Sequence, residues 1–290
     1  MIEGILIIGL VRGGVYALLA VGFSLIFGVA RMINLAHTCF YMLAAYGIYT
    51  FADMLGMSPI LSIIISLIAT TIIGLGTYKL FIDRVREHHV TVMLITLAIA
   101  MVFQECMLLF YGGHYLGAPS FIPGYQEILG VKVSYQHLLT FGVVLVVLLG
   151  VWALLSKTRL GIAIRATAQD TEIANLMGID VSRILLITMG IAAALAAVAG
   201  VVVAPTLVLE PHMWTPPLVM IMAIVVLGGL GSVKGSFIGA FIIGFVEVLV
   251  VFLLPAGAFL KGAIALLVMV IVLLVRPEGL FGVAFEEERL

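Results

Sequence analysis

The sequence predicts an all-α, polytopic membrane bundle of about eight or nine segments, and three observations predict it. Hydrophobic residues make up 64% of the 290 positions and charged residues only 10%, whereas soluble domains carry about 25% charged residues. Mean hydropathy is +1.32, and several stretches reach the roughly 20 apolar residues that cross a bilayer as a helix. Those stretches are continuous, unlike the short alternating strands of a membrane barrel. Nothing divides the chain, so residues 1–290 are read as one membrane domain.

The apolar segments run at 4–29, 33–52, 59–80, 91–111, 137–156, 184–204, 217–230, 237–254 and 259–275. The first, with an acid before its apolar run and Arg12 inside it, does not match a cleaved signal peptide and reads as a membrane helix. The second begins with polar Asn34 and His37, which makes it a candidate broken or re-entrant segment. Both residues are therefore candidates for the wall of a central cavity or its gate, or else for a simple surface turn, because irregular backbone is tolerated at membrane depth where it lines a cavity. Pro59, Pro205, Pro216 and Pro217 sit at segment ends, where they cost little helix. Segment 217–230 is too short to span comfortably and is either re-entrant or continued through its glycines. The stretch 112–136 reads as an irregular Gly/Pro-rich connector.

Lysine and arginine placement sets orientation. With the loop around 81–90 in the cytoplasm, Arg31, Lys79, Arg84, Arg86, Lys157, Arg159, Arg165, Arg183, Lys234, Arg276 and Arg289 lie inside or at the inner edge, and only Lys132 and Lys261 lie outside. The C-terminal tail FEEERL is then cytoplasmic. The nine-segment count puts the N-terminus outside, and one re-entrant segment among the first two would reverse that. The net charge of −1 gives no basis for a nucleic-acid partner. Cys39 and Cys106 lie in apolar segments and imply no disulfide framework.

The longest polar interval with a helical pattern is KTRLGIAIRATAQDTEIANLMGIDVSR, residues 157–183. Asp170 is a candidate N-cap, Glu172 suits the positive end of a first turn, and Gly178 is a candidate stop. Ile173, Leu176 and Met177 fall at i, i+3 and i+4 and form one apolar stripe. A helix this short needs a partner surface to order it, either its own bundle and the lipid interface or another protein.

No nucleotide site is present in sequence: GGLGSVKGS at 228–236 lacks the Gly-Lys-Ser/Thr order of a phosphate loop. Its glycines read instead as helix packing, with Gly231, Gly235 and Gly239 recurring every four residues. Ala196 and Gly200 make a similar pair. His88 and His89, near Asp83 and Glu87, read as a solvated loop, and no metal site is assigned. Arg12, Glu105 and Glu247 fall inside apolar runs, where each costs about 2.5–3.5 kcal/mol on insertion scales. They are expected to face the bundle interior and pair, although Glu105 fits equally near the outer interface beside Tyr111 and His114. A proton relay through such groups is the competing reading.

Three blocks together resemble one family, the LivH-type permease subunits of branched-chain amino-acid ABC importers. They are GGVYALLAVGFSLIFGVARMINLAHTCFYMLAAYG at 13–47, RATAQDTEIANLMGIDVSRILLITMGIAAALAAVAG at 165–200, and VLGGLGSVKGSFIGAFIIGFVE at 226–247 with RPEGLFG at 276–282. The family usually has Gly after the histidine, where this chain has Thr38. The resemblance implies a bacterial inner-membrane permease that pairs with a homologous second permease, usually as a heterodimer. It also implies two ATP-binding subunits below and an extracytoplasmic substrate-binding protein above. ATP and magnesium would sit on the ATPase subunits and no cofactor in this chain, with residues 170–178 as the coupling helix. Permeation of urea, short amides or small carboxylates is the nearest variant. A proton-coupled carrier or channel using Glu105 or Glu247 is the alternative from another class.

Overall fold

The computed structural model describes residues 2–128 and 131–282. Arg289 and the FEEERL tail lie outside the described residues. The helices in chain order are α1 (Ile2–Ala30), α2 (His37–Ile48), α3 (Pro59–Thr77), α4 (His89–Tyr111), α5 (Tyr135–Lys157), α6 (Arg159–Gln169), α7 (Thr171–Leu176), α8 (Val181–Val203), α9 (Thr215–Gly228), α10 (Val233–Leu253) and α11 (Gly257–Val275). Wider-wound turns extend α2 over Tyr49–Met54 and α3 over Tyr78–Ile82. Among the described residues, seven helices are long and apolar enough to cross a membrane. The shorter α2 and α9 supply the other two apolar segments, so the chain is a multi-pass membrane protein.

Polar side chains set five of the helix starts among the described residues. Ser134, Thr158, Asp170, Asp180 and Ser232 each accept a hydrogen bond from a backbone N–H two or three residues on, satisfying donors the helix cannot pair itself. Pro59 opens α3 after extended Ser58, a position where its missing N–H costs nothing.

Between those ends the helices are built for a lipid solvent. Along α3 the buried face is Ser62, Ser66, Thr70 and Gly74, while Ile60, Ile64, Ile68 and Ile72 are exposed. Small and hydroxyl residues let backbones approach, and the bulky aliphatic face meets a medium as apolar as itself. On α5 the buried row is Gln136, Thr140, Val144 and Leu148. Gln136 Nε2 and Thr140 Oγ1 both donate to the Val202 carbonyl, at 3.3 and 3.1 Å, fixing α5 to the end of α8.

Helices α1 and α8 are the axis: about two thirds of their spanning windows are buried, against 6% for α11. The half from α8 to α11 restates the half from α1 to α4, with a buried long helix, a short helix beside an interruption, and two longer helices. Packing partners exchange as well, α1 lying on α10 and α8 on α3. Ile26 and Val29 near the end of α1 share one apolar cluster with Ile184 and Leu185 at the start of α8, so the two axes run in opposite directions. Such inverted halves place transport sites at their interface, beside the interrupted helices.

Two expectations about the loops need correction. The stretch 112–136 is not simply irregular: β1 (Leu116–Gly117) pairs antiparallel with β4 (Val208–Leu209), and β2 (Tyr125–Ile128) pairs with β3 (Val131–Ser134). Glu127 stands opposite Lys132 in the register of β2 and β3. The short apolar segment at 217–230 does not continue through its glycines. The chain turns at Gly229 and Gly231, with φ of 101° and 81°, angles that favour glycine. The end of α9 is then sealed from the far C-terminus, as Leu280 N and Phe281 N donate to the Leu227 and Gly228 carbonyls. The VLGGLG and RPEGLFG blocks, some fifty positions apart, are one local structure.

Candidate coupling and translocation sites

At one end of the bundle α6 and α7 form a ledge. Asp170 Oδ1 accepts from Ile173 N at 2.9 Å, and Glu172 lies in the first turn. The helix ends as Ile179 N donates to the Ala174 carbonyl and Gly178 N to the Asn175 carbonyl, with Gly178 at φ 84°, the left-handed stop that glycine permits. Ala174 is buried, which anchors the inward side. Ile173, Leu176 and Met177 are 58%, 85% and 78% exposed. A helix of six residues, capped at both ends, thus holds three large apolar side chains in the open. Beside it Arg86 reaches both Asp83, at 3.5 Å, and Ser182 Oγ, at 3.3 Å, tying the 83–88 loop to the start of α8. Lys79 also pairs with Asp83, at 2.7 Å, so that carboxylate is occupied rather than free beside His88 and His89.

The interruption between α1 and α2 is the second polar feature. Arg31 takes φ 51°, a left-handed conformation that costs a non-glycine residue energy and marks a designed break. Asn34 Oδ1 accepts from Ala36 N at 3.1 Å, and Leu35 N donates to Thr96 Oγ1 at 3.2 Å. His37 Nε2 lies 3.0 Å from the Leu19 carbonyl; since a carbonyl only accepts, Nε2 carries the proton. Asn34 and His37 are fully buried. Ser24 Oγ, Asn34 Nδ2, His37 Nδ1 and Thr38 Oγ1 have no hydrogen-bond partner among the described residues. Each unpaired buried group costs about 1–3 kcal/mol, a concentration of strain where one axial helix breaks. The non-glycine Thr38 is accommodated, wholly buried.

The intramembrane charges divide. Glu247 on α10 is 2% exposed and is contacted by Arg12 NH1 at 3.1 Å and Lys261 Nζ at 3.0 Å, both on Oε1. Tyr16 donates to Oε2 at 2.7 Å. Glu105 does not join them: it is exposed on α4 and accepts only from neighbouring Gln104, at 3.3 Å. It is Gln104 that faces inward, its Oε1 accepting from Trp214 Nε1 at 2.9 Å. Sequence reasoning passed over Tyr16 and Lys261. Tyr16 stands four residues after Arg12, on the same helix face, and could have been found; no sequence signal connects Lys261 to Glu247.

The glycines also divide. Gly231 lies in the turn before α10 and abuts Gly28 of α1, whereas Gly235 and Gly239 face Gly228 and Ile224 of α9. They are not one row against one partner. The close approach of α10 to α1 is made by Gly244 against Gly13, and α8 meets α2 where Gly200 touches the Tyr41 carbonyl.

The chain is 30% identical over 96% of its length to the high-affinity branched-chain amino acid transport system permease protein BraD of Pseudomonas aeruginosa, covering 94% of that protein. It is 28% identical to the LivH permease protein of Escherichia coli K12, over 94% of this chain and 93% of that one. It is 31% identical to the probable branched-chain amino acid transport permease protein LivH of Methanocaldococcus jannaschii, over 96% and 92%. The model of the branched-chain amino acid transport system / permease component family matches residues 5–273. The chain belongs to that family.

Proposed function

We propose that this chain is the membrane-spanning subunit of an ABC importer that carries branched-chain amino acids across the inner membrane. The family match over residues 5–273 is the observation that carries the reading. The lysine and arginine bias supports α7 on the cytoplasmic side, where ATPase subunits would dock. The stripe of Ile173, Leu176 and Met177 fits a helix laid into a partner's groove. ATP binding would close two ATPase subunits, move α7, and through α6 and α8 rock one half of the bundle against the other. A homologous permease would complete the pathway, and a substrate-binding protein would deliver from outside. ATP and magnesium would be held by the partner ATPases.

Asn34 and His37 are enclosed by their own chain, so their proposed part is a gate that the rocking motion opens. A cysteine at position 34 should change its reactivity between nucleotide states; equal reactivity in every state would make the break a static turn. A proton relay is less well supported, because Glu247 is pinned by three side chains and no hydrogen bond links it to Glu105 among the described residues. The test is to purify the tagged chain from its native host. ATPase subunits should copurify, and uptake of leucine, isoleucine or valine should stop with vanadate. Uptake indifferent to vanadate would overturn the proposal.

A further inference from the structure

The charge cluster on α1, α10 and α11 is unbalanced. One buried carboxylate, Glu247, stands between two cations, and both approach the same oxygen. No other carboxylate reaches Arg12 or Lys261 among the described residues, which leaves one positive charge in excess and most of the N–H donors of both side chains unused. Those donors are not hidden: each side chain is 38% exposed. Lys261 lies four residues into α11, about 6 Å from the helix start at 1.5 Å per residue, and α11 is the helix least covered by the rest of the chain, with 6% of its window buried. An excess charge at the margin of an apolar slab is costly unless an anion meets it. Glu247, fixed in turn by Tyr16, holds the two cations side by side, a prebuilt fork rather than two loose side chains.

We infer that Arg12 and Lys261, braced by Glu247, form an oxyanion site at the end of the bundle opposite α7, filled by the phosphate of an anionic phospholipid. Exposure favours this source: the fork opens on uncovered α11, Lys261 lies near that helix's start, and long cationic side chains reach toward headgroups. A free carboxylate, including that of a transported amino acid, presents the same oxygen chemistry, and the experiment separates the two. The site does not depend on which substrate is carried.

The test uses the purified transporter complex in phosphatidylcholine nanodiscs, with phosphatidylglycerol titrated in and, separately, L-leucine, following the thermal unfolding midpoint. Phosphatidylglycerol should raise the midpoint. Lys261→Gln should weaken that response by about tenfold in apparent affinity, the worth of one charge-assisted hydrogen bond. Lys132→Gln, which removes a cation from the β2–β3 hairpin instead, should leave it intact. Lys261→Arg keeps the charge and should keep the response, which a mere packing role for the lysine would not allow. A response to leucine alone, lost in Lys261→Gln, would keep the oxyanion site and replace its source. Equal phosphatidylglycerol responses in wild type, Lys261→Gln and Arg12→Gln would overturn the site altogether.

Discussion

Replacing Leu176 with Asp separates the coupling role of α7 from its fold. Within the chain the leucine is 85% exposed, so its removal forfeits almost no intramolecular packing, and surface changes of this kind cost within about 0.5 kcal/mol. A carboxylate in the last turn, at the negative end of the helix dipole, adds about 0.3–1 kcal/mol. In a partner's groove the arithmetic is different. Burying that leucine fully is worth about 1.5–3 kcal/mol, and a carboxylate left there without a partner costs about 1–3 kcal/mol more. The sum, about 2.5–6 kcal/mol, weakens ATPase docking by roughly two to four orders of magnitude. The assay is membrane level, ATPase copurification and amino-acid uptake, measured separately on Leu176→Asp. The expected result is a normal level of inserted protein with copurification and uptake both lost. Normal copurification with normal uptake would refute the docking role, and a collapse in membrane level would refute the claim that the helix stands free of its own bundle.

Two further substitutions test the supports. Glu247→Gln leaves Arg12 and Lys261 facing a neutral group, and the loss should be about 2–3 kcal/mol, below the usual cost of breaking a buried pair because both cations are partly solvated; a thermal unfolding midpoint unchanged from wild type would contradict the pairing. Asp170→Ala removes the N-cap of α7 and should cost that helix about 1 kcal/mol, seen as faster amide exchange confined to residues 171–177 and reduced uptake, with the midpoint of the whole protein nearly unchanged.

What was legible in the sequence follows the range of the forces involved. Each of the nine apolar segments overlaps a helix of the structure, because burial in lipid is dictated residue by residue. The limits of α7 were readable for the same reason: Asp170 and Gly178 act on backbone groups three to five positions away. The pairing of Arg12 with Glu247 was readable from their cost inside apolar runs, although they lie 235 residues apart; that Lys261 joins them was not, since nothing local points to it. Glu105 was left open between the interior and the outer interface because a carboxylate in an apolar run resembles a buried one, and only the helix face decides; α4 turns Glu105 outward and Gln104 inward. The spacing of Gly231, Gly235 and Gly239 suggested a single packing row, but α10 begins at Val233, so Gly231 never shares the helix. The inverted recurrence of α1–α4 in α8–α11 is carried by packing geometry rather than by residue identity, and so left no repeat to see.

The central claim is that ATP consumed by other subunits drives substrate through this chain. Its most direct test is uptake of radiolabelled leucine by proteoliposomes holding the purified complex and its binding protein, with the ATPase side and the proton gradient controlled independently. Uptake should require ATP on the α7 side and persist when an uncoupler collapses the gradient. Accumulation driven by the proton gradient without ATP would contradict it.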